Sequence, residues 1–419
     1  MIKILLIILL AMHNNSLAHK LISNLVTPVS YFVNHVKQLQ TLKDNLGKYK
    51  QASIVGISGF GKTQLVRIYA YENKNNYNLI WFIDCNLDIN KEFLKLAKQL
   101  NQVYEVGISE DVDLARKEVI TYLTHQDKWL LVFDNLKVNE NKKVQELVNW
   151  EHNGNVIFCS QDRDILPYPI EMTHFNHNDT INLVNSILEN KDQKSIEFLT
   201  EEFKGYPVLI VQGAQLLNKA KGLNREEYKK KMYQSADKIK LNISLAMQQL
   251  NPSSLNLLKK IALINNQSFS NQFLNVITDD KDNLAADIYQ LSKFLLISTS
   301  VPNEINPIFE MHDVIAQKIA EINEVDNNKR FIENMIITLV NYVPNDRVRG
   351  HVFRHTITLQ ENFEVILRNA QIYNADIYKV LLLNVTLLTD YINSFDYYNA
   401  KKYLIGLIKM IKPEGLSYY

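Results

Sequence analysis

Cysteine is nearly missing from this chain: Cys85 and Cys159 are the two in 419 residues. Each ends an expected buried strand in a different part of the sequence, and neither sits in metal-ligand spacing. A reduced pair of buried thiols is the reading that remains. Glycine and proline are also sparse, at 12 and 9, which favours helices over β-sandwiches. No charge of either sign dominates. The formal net charge is +1, so bulk charge argues for neither a nucleic acid nor a membrane partner. No transmembrane span is expected. The apolar run at residues 4–12 is too short to cross a bilayer.

What is present is the composition of a soluble globular protein, 46% hydrophobic and 22% charged. The length implies two to four domains. The N-terminus has the shape of a secretory signal: Met1-Ile2-Lys3, the apolar run, then Ser16-Leu17-Ala18, small residues where a signal peptidase reads. The alternative is an apolar N-terminal helix that stays in place.

The chain is organised around Gly56-Ile57-Ser58-Gly59-Phe60-Gly61-Lys62-Thr63. This is the phosphate-cradle pattern G-x-x-x-x-G-K-[ST]. A short apolar stretch, Ala52-Ser53-Ile54-Val55, precedes it as an expected strand. A stretch with apolar residues at 65, 66, 68 and 69 follows it as an expected helix. Glycine allows the loop to fold around a phosphate with several N–H groups pointing inward. The helix N-terminus adds partial positive charge. The candidate cofactor-binding residues are therefore Gly56, Gly59, Phe60, Gly61, Lys62, Thr63 and the adjoining Gln64. Lys62 would reach the outer phosphates, and the Thr63 hydroxyl would ligate Mg²⁺.

From residue 53 to about 176, apolar runs at 53–57, 79–85, 129–134, 155–159 and, more weakly, 171–175 alternate with helical patterns. That alternation predicts a parallel sheet covered on both faces. The stretch Trp129-Leu-Leu-Val-Phe-Asp134-Asn135 is a buried strand ending in an acid. At the carboxyl end of a parallel strand, Asp134 would face the same crevice as the loop and hold Mg²⁺ with Thr63. Asn135 follows it. An amide cannot take a proton. Asn135 either occupies the place of a second acid or merely caps a turn.

Beyond residue 177 the expected strands give way to helices. Gly205-Tyr206-Pro207 opens one of them, with Pro207 near the first helical position. A short hairpin is expected around 296–309, followed by Met311-His312-Asp313 inside a helical pattern. Taken alone, Pro207 is helix punctuation and His312 a packed or surface histidine. The triplet Asp326-Asn327-Asn328 reads as a boundary, and helix follows helix after it.

Taken in order, a lead with Phe32-Val33-Asn34-His35, then GISGFGKT, LLVFDN, NVIFCSQDRD, GYP and MHD resembles the NB-ARC family of signal-transduction ATPases over residues 25–325. The resemblance implies an α/β fold: a P-loop NTPase parallel sheet with an additional strand, then a helical domain, a winged helix and a helical-repeat-like C-terminus. It divides the chain into a signal peptide (1–18), a lead segment (19–50), the nucleotide domain (51–176), a small helical domain (177–245), a winged helix (246–325) and a helical, tetratricopeptide-like region (326–419). It implies ADP/ATP and Mg²⁺ as cofactors. Phe32 and Val33 would join the nucleotide-binding set, Pro207 would pack near the adenine, and His312, steadied by Asp313, would reach the β-phosphate of ADP.

Three departures from the family pattern follow. Asn34-His35 stands for the usual Gly-Arg, and Asn135 for a second acid. The arginine expected after the strand at 155–159 is Gln161, with Arg163 two residues on. Asp134, Asn135, Gln161 and Arg163 are thus the candidate catalytic residues, in a set that favours nucleotide binding over hydrolysis.

In the C-terminal segment Leu387, Tyr391, Ala400, Leu404, Leu407 and Pro413 approach the spacing of one tetratricopeptide repeat. Such units stack in series. The sequence reading ends before a following repeat would begin, which suggests a truncated product or a fragment.

The function implied is an ADP-locked switch released by nucleotide exchange, with an unknown protein partner on the C-terminal helices and homo-oligomerisation on activation. At most it is a slow ATPase. The alternatives are an active AAA-like ATPase and an interaction scaffold with a vestigial nucleotide site. No basic, base-reading helix is evident, so a nucleic-acid partner is not expected. An ATP-containing compartment is expected, the cytosol or, given the signal-like leader, one reached after export.

Overall fold

The computed structural model describes residues 21–31, 35–137, 146, 148, 150–162, 166–264, 266, 268–301, 307–348, 357–393, 400–401, 403–405 and 407–408. The leader at 1–18, Phe32, Val33, Asn34, Arg163, Pro413 and most of the helix expected at 142–150 lie outside them. The chain divides into two compact units, Met1–Thr173 and His174–Tyr419.

In the first unit six strands form one sheet: β1 (Ile22–Ser23), β2 (Gln51–Val55), β3 (Leu79–Asp84), β4 (Trp129–Leu136), β5 (Asn155–Ser160) and β6 (Pro169–Glu171). Their order is β1-β3-β4-β5-β2-β6, and every neighbouring pair is parallel. The near-continuous apolar runs of β3 and β4 are those of strands buried on both faces.

The helices that accompany the sheet include α1 (Val36–Tyr49), α2 (Lys62–Glu72), α3 (Ile89–Tyr104) and α4 (Val112–Thr124). Phe93, Leu96, Ala97 and Leu100 of α3 join Ala115, Val119 and Leu123 of α4 against Trp81, Ile83, Leu131, Phe133 and Phe158 of the strands. The Asp88 carboxylate caps α3 and that of Asp111 caps α4, each satisfying N–H groups that a helix start leaves unpaired.

The sheet differs from the sequence reading at both edges. The weak strand expected at 171–175 forms earlier, at Pro169–Glu171, where it pairs with Ser53–Val55 of β2. Strand β1 was not expected at all. Two residues carry no periodicity, and the pairing is extended by a side chain. The Asn24 amide donates to Phe82 O at 2.8 Å, and its oxygen accepts from Phe82 N at 2.7 Å.

The second unit opens with five helices: α5 (His177–Ile187), α6 (Gln193–Phe203), α7 (Pro207–Lys219), α8 (Arg225–Gln234) and α9 (Lys238–Met247). Its next part is mixed. Three helices, α10 (Pro252–Ile261), α11 (Asn271–Ile277) and α12 (Leu284–Lys293), combine with β7 (Phe269–Ser270), β8 (Ser298–Val301) and β9 (Ile308–Glu310). The three strands make an antiparallel sheet in the order β7-β9-β8. The expected hairpin at 296–309 is the β8–β9 pair. Fully buried Asp287 of α12 accepts from Ser253 Oγ and, at 2.6 Å, from Ser254 Oγ, fastening the start of α10 to α12.

Helix α13 (Asp313–Ile322) leads into α14 (Val325–Val348), α15 (Ile357–Ile372) and α16 (Ile377–Asn393). Asp326–Asn328 lie in the first turn of α14. Asn328 turns inward there, donating to Ala320 O and accepting from Asn323 Nδ2. Residues at 400–408 are helical where described. Leu387, Tyr391, Ala400 and Leu407 are buried, but Leu404 is exposed. The inward stripe runs through Ala400, Tyr403 and Leu407, and Tyr403 stacks on Tyr391 at 5.4 Å. Among the described residues no helix is long and apolar enough to cross a membrane.

Candidate functional site

The loop from Gly56 to Gly61 leaves the carboxyl end of β2 and feeds α2. Backbone geometry explains its glycines. Gly59 and Gly61 have φ of 88° and 83°, a left-handed region that side chains rarely tolerate. At Gly56, with φ 152°, a Cβ would lie 2.7 Å from Met172 O. Phe60 is buried. Gly61 is the N-cap of α2, and with no side chain it leaves that helix start without a side-chain cap of its own. Its first N–H groups are therefore of the kind an anion completes. Lys62 Nζ donates to Gly56 O at 2.7 Å and Ile57 O at 3.1 Å, so its ammonium lies over the loop. Gln64 Oε1 accepts from Val29 N at 3.2 Å, which ties the lead segment to α2. Gln64 is thus a structural clamp in addition to its place beside the loop.

Thr63, in the first turn of α2, meets Asp134 near the end of β4. Its hydroxyl donates to Oδ2 at 2.8 Å and lies 3.2 Å from Oδ1. In space the strand between β2 and β4 is β5. The strand that separates loop and acid in sequence, β3, lies on the outer side of β4. Gln161 follows β5 directly and is exposed.

Asn135 sits in an irregularity of the β4–β5 ladder, between Phe133 and Leu136. Its φ is 59°, and asparagine accepts this left-handed backbone more readily than most residues. Its N–H donates to Asp134 Oδ1 at 3.0 Å. Its side-chain amide reaches Asp84 Oδ1 at 3.4 Å.

Asp84 was not singled out from the sequence. It ends β3 and stands opposite Asp134 in the ladder. Its Oδ1 accepts from Asn86 N at 3.0 Å. Its Oδ2 is sealed from solvent and has no hydrogen-bond partner among the described residues. Burial pushes the Asp84 carboxyl up to about 7. The Asn86 N–H opposes the rise, the charges of Glu92 and Asp134 add to it, and the Asn135 amide opposes it. The signal was present in Leu79-Ile-Trp-Phe-Ile-Asp84, an apolar strand ending in an acid. It is the pattern that selected Asp134, one strand earlier.

These residues fit a phosphate–magnesium ligand. The glycine loop, Lys62 and the start of α2 would hold phosphates, and Thr63 with Asp134 would hold the metal. The bound metal would supply charge neutralisation. The protein's own part is to aim the N–H groups and keep the Thr63 hydroxyl and Asp134 carboxylate within reach of each other.

No protein-family model and no curated protein sequence matches the chain. Solved structures do. The Signal Transduction ATPase with Numerous Domains (STAND) protein with a tetratricopeptide repeat sensor from Pyrococcus horikoshii aligns over 92% of this chain, with TM-score 0.52 and 14% identity. This chain shares the fold of that protein. It spans 65% of that protein's length. The Walker-type ATPase of Pyrococcus abyssi (TM-score 0.38, 16% identity, 70% of this chain and 97% of that one) and Cdc6p of Pyrobaculum aerophilum (0.37, 11%, 71% and 98%) also align. At these TM-scores neither carries further argument.

Within this fold, Lys62, Thr63, Asp134, Asn135 and the glycines come together in the first unit. Pro207 and His312 belong to the second. Pro207 takes the first helical position of α7. The turn before it is tight: Gly205 has φ 76°, and a Cβ there would lie 2.2 Å from Phe175 O. His312 is exposed and is the N-cap of α13, its Nδ1 accepting from Val314 N at 3.2 Å. Asp313 accepts from Asn266 Nδ2 at 2.6 Å.

Proposed function

We propose that this protein is an adenine-nucleotide switch of the NB-ARC type, held closed by ADP and released when ATP replaces it. The observation that carries the reading is the Thr63–Asp134 hydrogen bond beside a glycine loop that ends in Gly61 as the N-cap of α2. That pair is what a magnesium-bound phosphate group needs at the end of a parallel sheet.

Several features support the finer reading. Three helices with a three-stranded antiparallel sheet, α10 to β9, suit a winged helix. His312 spends Nδ1 on the helix cap, which holds the ring at the start of α13. In the proposed closed state Nε2 meets the ADP β-phosphate and Pro207 packs on the adenine. A ligand touched by separate parts of the chain biases their arrangement when ADP and ATP touch them differently. The C-terminal helices, with Tyr378, Leu382 and Val385 exposed on α16, are the proposed seat of a protein partner, and homo-oligomerisation follows opening.

The test is direct. Purified chain is denatured and the supernatant analysed for adenine nucleotide. Copurified ADP is expected. Its absence, with no ADP binding on titration, sinks the reading. For the latch, His312→Ala should speed ADP release about tenfold, a loss of roughly 1.4 kcal/mol; an unchanged off-rate removes His312 from it.

A further inference from the structure

We propose that Asp84 supplies, from the tip of the neighbouring strand, the acid that Asn135 cannot supply for hydrolysis of a bound nucleoside triphosphate. The inference rests on the nucleotide-site reading and adds a residue and an activity to it.

The carboxylate oxygens at the ends of β3 and β4 can be accounted for one by one. Asp134 Oδ2 accepts from Thr63, and Asp134 Oδ1 accepts from Asn135 N. Asp84 Oδ1 accepts from Asn86 N and faces the Asn135 amide. Asp84 Oδ2 is buried and has no hydrogen-bond partner among the described residues. An unsatisfied buried carboxylate oxygen is costly, and such groups in folded proteins call for an explanation, a catalytic role among them. Glu92, a further buried acid near Asp84, is paired with Lys95.

Register places the free oxygen where it is useful. Asp84 and Asp134 are cross-strand partners, and adjacent strands run about 4.8 Å apart. Asp84 is therefore one strand spacing from the proposed metal ligand, at the carboxyl end of the sheet where the loop also lies. Asn135 explains the arrangement. Its left-handed backbone is one that asparagine tolerates, and its amide donates toward Asp84, holding Oδ1 and leaving Oδ2 for a further donor. Acid and amide have exchanged strands relative to the pattern in which the acid follows Asp134.

The donor proposed for Oδ2 is the attacking water. Its oxygen bonds to the terminal phosphorus as the bond from that phosphorus to the bridging oxygen breaks. The bridging oxygen keeps the electron pair on the diphosphate. One water proton stays on the released phosphate, and the other passes to Asp84 Oδ2, which gives it up once the products leave and water reaches the site. Hydrolysis of this kind would return the switch from its triphosphate to its diphosphate form.

Asp84→Asn is the variant of choice, because an asparagine keeps the Oδ1 acceptor for Asn86 N. With full-length protein, ATP affinity is measured by fluorescent-nucleotide displacement and turnover by phosphate release, against Lys62→Ala as background. Asp84→Asn should keep ATP affinity within about threefold and lower turnover about 100-fold, the scale of a lost general base. The double exchange Asp84→Asn with Asn135→Asp should recover at least tenfold of that loss, which a purely structural role for Asp84 would not produce. Unchanged turnover in Asp84→Asn overturns the inference. So does a wild-type chain that binds ATP without turnover above background, and that result leaves the switch reading standing. Wild-type protein that binds no nucleotide removes both.

Discussion

The Thr63 hydroxyl and the Asp134 carboxylate are hydrogen-bonded at 2.8 Å across a gap of 71 residues in sequence. Each is the other's partner in this arrangement, and each is a hard oxygen ligand. Thr63→Ala should therefore weaken magnesium-dependent ATP binding about 10- to 100-fold, the scale of a lost hydrogen bond to a charged group. Binding without magnesium should change much less. Titration of a fluorescent ATP analogue with and without Mg²⁺ distinguishes the two. Equal loss in both conditions would remove Thr63 from the metal site.

Two glycines with similar backbone angles should respond differently to alanine. At Gly61 φ is 83°, with no atom within 4 Å of an added Cβ. The left-handed conformation alone then costs roughly 1–2 kcal/mol. At Gly205 φ is 76° and the added Cβ would lie 2.2 Å from the Phe175 backbone oxygen. Phe175 N in turn donates to Gly205 O at 2.9 Å, so the two strands of chain cannot part without losing that bond. Overpacking of about 1–3 kcal/mol adds to the strain. Gly205→Ala should lower the melting temperature more than Gly61→Ala, and Gly61→Ala should do more harm to nucleotide affinity. Differential scanning fluorimetry and ligand titration on both variants check the pair.

Asp192 provides a pH-dependent case. It is the N-cap of α6, accepting from Ser195 N, and it pairs with Arg225. The Ser195 hydrogen bonds and the Arg225 guanidinium hold its carboxyl below the usual range, against a smaller opposing effect of burial. A folded pKa below the unfolded value means stability that is present above the unfolded pKa and lost as pH falls through the folded one. Asp192→Ala should cost about 1 kcal/mol at neutral pH. The gap to wild type should close as pH drops below about 4. A gap that stays constant from pH 7 to pH 3 contradicts this account of the cap.

The parallel sheet was legible because β3, β4 and β5 are long apolar runs, and because the loop and Asp134 announce themselves by residue type. The tip of β3 was not. Ile83-Asp84 reads as a turn beginning, and only the strand order shows that its acid stands beside Asp134 and not beyond it. Asn135 was ambiguous for a related reason. Its two roles, accepting a left-handed backbone and donating to Asp84, both depend on a bulge that sequence periodicity does not express. Strand β1 was lost because Asn24 does with a side chain what a longer strand does with its backbone. Spacing alone did not show that Tyr403, and not Leu404, carries the inward stripe there.

Helix α7, opened by Pro207, is tied to the end of α12 by Gln212, which donates to Leu295 O at 3.0 Å, and by Gln215, which donates to Lys293 O. Helix α13, capped by His312, is tied to the start of α9 by the Lys318–Asp237 ion pair at 2.9 Å. These are rivets between the layer that carries Pro207 and the layer that carries His312. Sliding one layer over the other would shear them, at about 1 kcal/mol or less apiece. Fasteners that weak hold a resting shape yet yield to a modest push.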